Sequence, residues 1–115
     1  MEHREGLRWV PYDIAGAVEV APGVRRRVLA YGEELMCVEN SFEGGAVGAA
    51  HSHPHTQITY VVEGRFKFTI GGETRIVAKG DTMFKRDGVV HGCKCLERGV
   101  LLDVFAPMRD DFVGK

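Results

Sequence analysis

Three of the five histidines, His51, His53 and His55, stand at alternate positions in the stretch GAAHSHPHTQITYVVEG, and Gln57 continues the series. In an extended segment, alternate side chains share a face. These four residues would then point the same way, with Thr59 and Val61 following on the same parity. Neutral imidazoles gathered in a confined space suit a divalent cation of the zinc, nickel or iron type. Two histidines one residue apart can reach one ion from the same face of a strand. The pair alone favours a histidine-rich surface loop or structural hydrogen bonding. A further histidine, His91, comes later, in GDTMFKRDGVVHGCKC. Cys93 and Cys95 fall on the parity of His91, so a thiolate-containing zinc site is a rival. Structural zinc, however, normally uses Cys-x-x-Cys hooks rather than Cys-x-Cys.

A second group of candidates lies near the C-terminus, in VLLDVFAPMRDDF. Asp103 and Phe105 share one face of an apolar strand, and Arg109 follows a proline turn. Burying an unpaired carboxylate is costly. Asp103 is therefore either paired with an arginine for structural reasons or placed as a general acid/base. Arg109 can hold a carboxylate through a bidentate pair, or it can be a surface arginine beside Asp110 and Asp111. Phe105 can be plain core or an apolar wall against a bound ligand.

The elements that must position these residues read as short strands between glycine-marked turns. RRVLAYG and ELMCVENSF are extended candidates separated at Gly32, and QITYVVEG is expected to stop at Gly64. In RFKFTIGG, Phe66, Phe68 and Ile70 alternate with Arg65, Lys67 and Thr69. Gly71-Gly72 then suits the positive φ angles of a tight hairpin. ETRIVAKGD returns, and GVLLDVFAP is the last strong strand, ended by Pro107. Only the tail MRDDFVGK hints at a helix. Strands at this spacing point to an all-β sandwich or barrel. Leu102 and Val104 make the last strand apolar on both faces, which predicts a homodimer covering the outer one.

With 115 residues, 44% apolar and 27% charged, the chain is expected to form one domain over residues 1–115. A net charge of -1 gives no basic field for nucleic acid. The run Arg25-Arg26-Arg27 reads as a solvated strand face. No stretch approaches a membrane-spanning length, and the N-terminus has no signal-peptide pattern. The three cysteines have no disulfide framework spacing, so free thiols in a reducing cytoplasm are expected. Cys37 reads as buried filler.

The spacing of these residues resembles the two motifs of the cupin superfamily. The first is carried by Gly45, His51, His53, Gln57 and Gly64, with glutamine in place of the family's glutamate. The second is carried by Gly80, Arg86, Gly88, His91 and Cys95, where Arg86 replaces a proline and Cys95 an asparagine. The resemblance implies a small double-stranded β-helix, or jelly-roll barrel, with its core over about residues 24–107. It implies one divalent metal (nickel, zinc, iron or manganese) held by His51, His53, Gln57 and His91. Parity does not choose Gln57 over His55; the family pattern does, leaving His55 to orient a ligand or meet substrate. A neutral amide in place of a carboxylate leaves the site the full charge of the cation. That favours an anionic, chelating substrate and Lewis-acid chemistry.

HSHPHTQITYVVEG and LLDVFAPMRDDF together are similar to the KdgF-type pectin-degradation proteins. The similarity includes VRRRVLAYGEELM and runs from about residue 24 to the end. Members of that group convert 4,5-unsaturated monouronates, released in pectin and alginate breakdown, to the linear keto form. The resemblance implies active-site roles for Asp103, Phe105 and Arg109. The alternatives are a non-catalytic cupin binding a sugar or small acid, a metal-dependent dioxygenase, and a storage cupin without metal.

Overall fold

A computed structural model of the chain describes residues 4–114. Eight strands follow one another: β1 (Ala17–Ala21), β2 (Val24–Tyr31), β3 (Met36–Phe42), β4 (Val47–His51), β5 (Thr56–Ile70), β6 (Glu73–Ala78), β7 (Thr82–Lys85) and β8 (His91–Ala106). All pair antiparallel, in the order β1-β2-β3-β8-β5-β6, with β4 joined to β8 and β7 to β5. The all-β expectation is met, and the sheet has the jelly-roll form of a double-stranded β-helix. Among the described residues no helix is long and apolar enough to cross a membrane. Cys37, Cys93 and Cys95 are free thiols.

The hairpin between β5 and β6 turns at Gly71 and Gly72, with φ of 56° and 85°, as the sequence predicts. The expected stop at Gly64 does not occur: β5 runs through it to Ile70. Gly64 has φ of 88°, and a Cβ there would come within 2.6 Å of backbone atoms of Glu97, Arg98 and Gly99. The glycine thus bends the strand where it crosses β8 without ending it. The register with β8 shifts between Val61 and Phe66. As a result the buried side chains change from Gln57, Thr59 and Val61 to Phe66 and Phe68. On β8 the parity holds, and Cys95, Leu101, Asp103 and Phe105 are all buried.

Two apolar groups fill the interior. One gathers Phe42, Val61, Phe66, Phe68, Cys95 and Leu101, with Phe42 and Phe66 edge to face at 5.2 Å between centroids. The other gathers Val28, Tyr31, Met36, Val38, Phe105 and Met108. Burial of a side chain as large as Phe66 is worth roughly 2–3 kcal/mol.

The segment before residue 24 adds β1, which pairs with β2. The tail forms only a short 3-10 turn, Asp110–Phe112. The arginine run is also not a uniformly solvated face. Alternation puts Arg26 between the buried Val24 and Val28 on the inward side of β2, half-buried. Arg27 donates to the carbonyl of Ala15 and lies 3.6 Å from Glu39.

Candidate functional site

Strand parity is not what gathers the histidines. β4 ends at His51 and β5 begins at Thr56, so residues 52–55 form a turn between them. The Gly88 N–H donates to the His53 carbonyl at 2.8 Å, which ties that turn to the loop before β8. His91 opens β8 directly across from His51. His51, His53 and His91 thus come from a strand end, a turn and a strand start, and their candidate ligand atoms lie within 4.8 Å of one another. Ring centroids are 5.5 Å apart for His51 and His53, 4.5 Å for His51 and His91, and 5.1 Å for His53 and His91.

The backbone presets two of these rings. His51 Nδ1 is 2.8 Å from the Ala49 carbonyl, and His91 Nδ1 is 3.1 Å from the Val89 carbonyl. A carbonyl only accepts, so each Nδ1 carries the proton and each Nε2 keeps its lone pair. Burial, with Lys85 behind it, pushes the His91 imidazole down to about 4. Burial also lowers His53, with Arg109 behind it. Neutral rings with free lone pairs are what a cation needs. His53 Nδ1 and His55 Nδ1 are buried without a partner. His55 packs its ring 5.3 Å from His53 and 6.3 Å from Phe105, beside the cluster.

Gln57 joins this cluster to a second one. Its Oε1 lies 3.0 Å from His53 Nε2, while its Nε2 donates to Asp103 Oδ1 at 2.8 Å and to Thr59 Oγ1 at 3.2 Å. Both facing atoms carry lone pairs, so His53 and Gln57 could hold one cation together as well as share a hydrogen bond. Asp103, 4% exposed, is not paired with an arginine. It accepts from Gln57, from the Thr59 hydroxyl at 2.5 Å and, on Oδ2, from Asn40 at 2.7 Å.

The sequence reading missed Lys85, which is 1% exposed and donates to Thr59 Oγ1 at 2.7 Å. Burial lowers its pKa and Asp103 opposes that shift. In β7, Lys85 points inward while Phe84 points out and is 59% exposed. An amphipathic reading would reverse the two. Period-two alternation anchored on Met83 was the signal that could have found it.

A cavity of about 330 Å³ joins these groups, lined among others by His51, Gln57, Lys85, His91, Asp103 and Phe105. Arg109, Asp111 and Phe112 from the tail close one side, and Arg26 and Asn40 contribute from β2 and β3. Phe105 meets His53 at 5.6 Å and Phe112 at 5.6 Å. Arg109 grips Asp111 through Nε at 3.1 Å and Nη2 at 2.9 Å, and that pairing holds the Asp111 carboxyl low. Arg26 lies over the Phe112 ring at 3.8 Å. Burial lowers the Arg26 pKa, with Asp111 opposing. Cys93 borders the cavity outside the histidine set, and burial pushes its thiol up to about 11. Cys95 is buried in the core. Neither supplies the thiolate of the rival zinc site.

The chain matches the cupin domain family over residues 39–105. It is 40% identical to the pectin degradation protein KdgF of Dickeya dadantii (strain 3937) over 97 residues, 83% of this chain and 88% of that protein. An RmlC-like cupin from Shewanella frigidimarina superposes with a TM-score of 0.90 at 34% identity, over 96% of this chain and 99% of that one. KdgF from a Halomonas species superposes with a TM-score of 0.86 at 36% identity, over 90% and 96%. With its histidines gathered at one end of a jelly roll, the chain belongs to the cupin family and stands within it beside the KdgF-type pectin degradation proteins.

Proposed function

We propose that this protein ring-opens and ketonises 4,5-unsaturated monouronates, with one divalent cation held by His51, His53, Gln57 and His91. The observation that carries this reading is the shared cavity, where the histidine cluster faces the same space as Asp103 and Arg109. The likeness to KdgF proteins named for pectin degradation supports the substrate class. Nickel, zinc, iron and manganese all suit such donors. A bound divalent cation supplies Lewis acidity where negative charge develops on oxygen.

Asp103 takes the proton of the anomeric hydroxyl. The aldehyde forms, the bond from the anomeric carbon to the ring oxygen breaks, and its electrons pass to that oxygen as an enolate. Asp103 then returns the proton to C4, which yields the keto acid. A carboxylate offers about four lone-pair sites. Three are taken by Gln57, Thr59 and Asn40, so the proton lands on the remaining site of Oδ2. Lys85 faces that carboxylate through Thr59, to which it donates at 2.7 Å. Arg109, whose Nε/Nη2 edge is on Asp111, contributes its remaining Nη donors to the substrate carboxylate, and Phe105 limits the poses of the ring. The protein works in a reducing cytoplasm as a homodimer that covers the outer face around Ile58 and Phe84.

The test is elemental analysis of the purified protein, then loss of the conjugated double-bond absorbance with unsaturated galacturonate. Metal-dependent decay well above the uncatalysed rate is expected. Metal retention with no such decay would turn the reading to a sugar- or acid-binding cupin.

A further inference from the structure

Two guanidiniums, Arg26 and Arg109, lie over the ring of Phe112, at 3.8 Å and 4.2 Å from its centroid. One carboxylate, Asp111, is within reach of them, and Arg109 has taken both of its oxygens. Arg26 makes no hydrogen bond or ion pair to any described residue. Yet it sits on the inward side of β2, opposite Asn40, whose amide reaches Asp103 at 2.7 Å. Together with Phe112 it separates the cavity from a second one of about 370 Å³. Among the described residues the group is one negative charge short of neutral. Leaving a half-buried guanidinium without an anion is costly unless a ligand supplies one. Arg109 has spent its Nε/Nη2 edge on Asp111, whereas none of the five donors of Arg26 is taken by a described residue.

We propose that Arg26 is a specificity-determining residue that presents the open guanidinium fork to the substrate's carboxylate, with Arg109 beside it anchored by Asp111. This rests on the uronate reading above for the identity of the ligand. The claim itself is that the cavity selects a monocarboxylate sugar through Arg26. A structural role, in which Arg26 only stacks on Phe112 to seat the tail, would need no anion.

The probe is saturated galacturonate, with galactose as its uncharged counterpart. Both are titrated by calorimetry into wild-type protein as purified and into Arg26→Gln, Arg26→Lys and Phe112→Leu, with metal content matched by elemental analysis. Wild type is expected to prefer galacturonate. Arg26→Gln should weaken galacturonate binding roughly tenfold or more and leave galactose binding alone. Arg26→Lys, which keeps the charge but not the fork, should fall between the two. Phe112→Leu should lower the thermal midpoint more than it lowers the preference. If Arg26→Gln does not fold, Arg26→Lys alone decides. Equal binding of the two sugars by wild type, or unchanged galacturonate affinity in the folded Arg26 variants, overturns the proposal. Turnover of unsaturated galacturonate by wild type is followed in parallel. Lost turnover with Arg26-dependent binding removes the enzymatic reading alone. Intact turnover with an unchanged KM in Arg26→Gln removes the Arg26 assignment alone.

Discussion

His53 and Asp103 are bridged by a single amide: Gln57 Oε1 lies 3.0 Å from His53 Nε2, and Gln57 Nε2 donates to Asp103 Oδ1 at 2.8 Å. A carboxylate only accepts, so an ionised Asp103 turns the amide with its oxygen toward the histidines. A glutamate could not make this bridge. Its second oxygen would face Asp103 at the same distance and repel it. The glutamine thus connects the proposed cation site to the proposed proton shuttle.

Gln57→Glu is therefore expected to retain metal at least as well as wild type but to lose turnover by about tenfold or more. Two carboxylates this close cannot both stay ionised, and the pair would take up a proton. Metal content by elemental analysis and turnover by absorbance check the two halves. Undiminished turnover would show that the amide donor is dispensable.

Asp103→Asn keeps the shape of the side chain and an oxygen for Thr59 and Gln57, and its new amide N–H is met if the Asn40 amide turns over to present its oxygen, but the base is removed. A general base contributes typically 10²–10⁴-fold, so turnover should fall by about a hundredfold or more while metal content and thermal midpoint stay near wild type. Near-normal turnover would remove Asp103 from the proposed mechanism.

Lys85→Met replaces a buried ammonium by an apolar chain of similar length. Removing the cation alone leaves the Asp103 carboxylate buried without a counter-charge, so the midpoint should fall, by up to about 3–5 kcal/mol of stability. Turnover should drop as well, since Asp103 loses the cation that faces it through Thr59. A more stable, fully active variant would leave Lys85 without a functional role.

Acid should destabilise the metal-free protein through His91. Its folded value is about 4 against an ordinary 6.5. Between those values the unfolded chain binds a proton that the folded protein refuses, so stability is fully present above about pH 6.5 and is lost on the way down to about pH 4. The loss is on the order of 3 kcal/mol, and His53 shifts in the same direction. Urea midpoints across this range should follow that slope, and His91→Gln should flatten it. A wild-type curve without slope there would contradict a buried neutral His91.

The proposed dimer has its own test. Ile58 and Phe84 pair across strands on the outer face and are 48% and 59% exposed. An Ile58→Lys, Phe84→Glu double variant should run as a monomer by light scattering if that face is the interface. A wild-type protein that is already monomeric would remove the dimer from the proposal.

Much of this protein was legible before folding. The Gly71-Gly72 turn, the Phe66/Phe68 alternation and the inward parity of Asp103 and Phe105 are local, set by backbone sterics and a two-residue period. The spacing of His51, His53 and His91 marked the cluster, although a turn between β4 and β5, not one extended strand, brings the rings together. Other features belong to the tertiary structure alone. The passage of β5 through Gly64, the burial of Lys85 in place of Phe84, the inward turn of Arg26 and the orientation of the Gln57 amide each depend on a partner far along the chain. Period-two alternation tells which residues share a face. Which face meets the core, and what waits there, is decided by cross-strand register and by neighbours that only the closed barrel supplies.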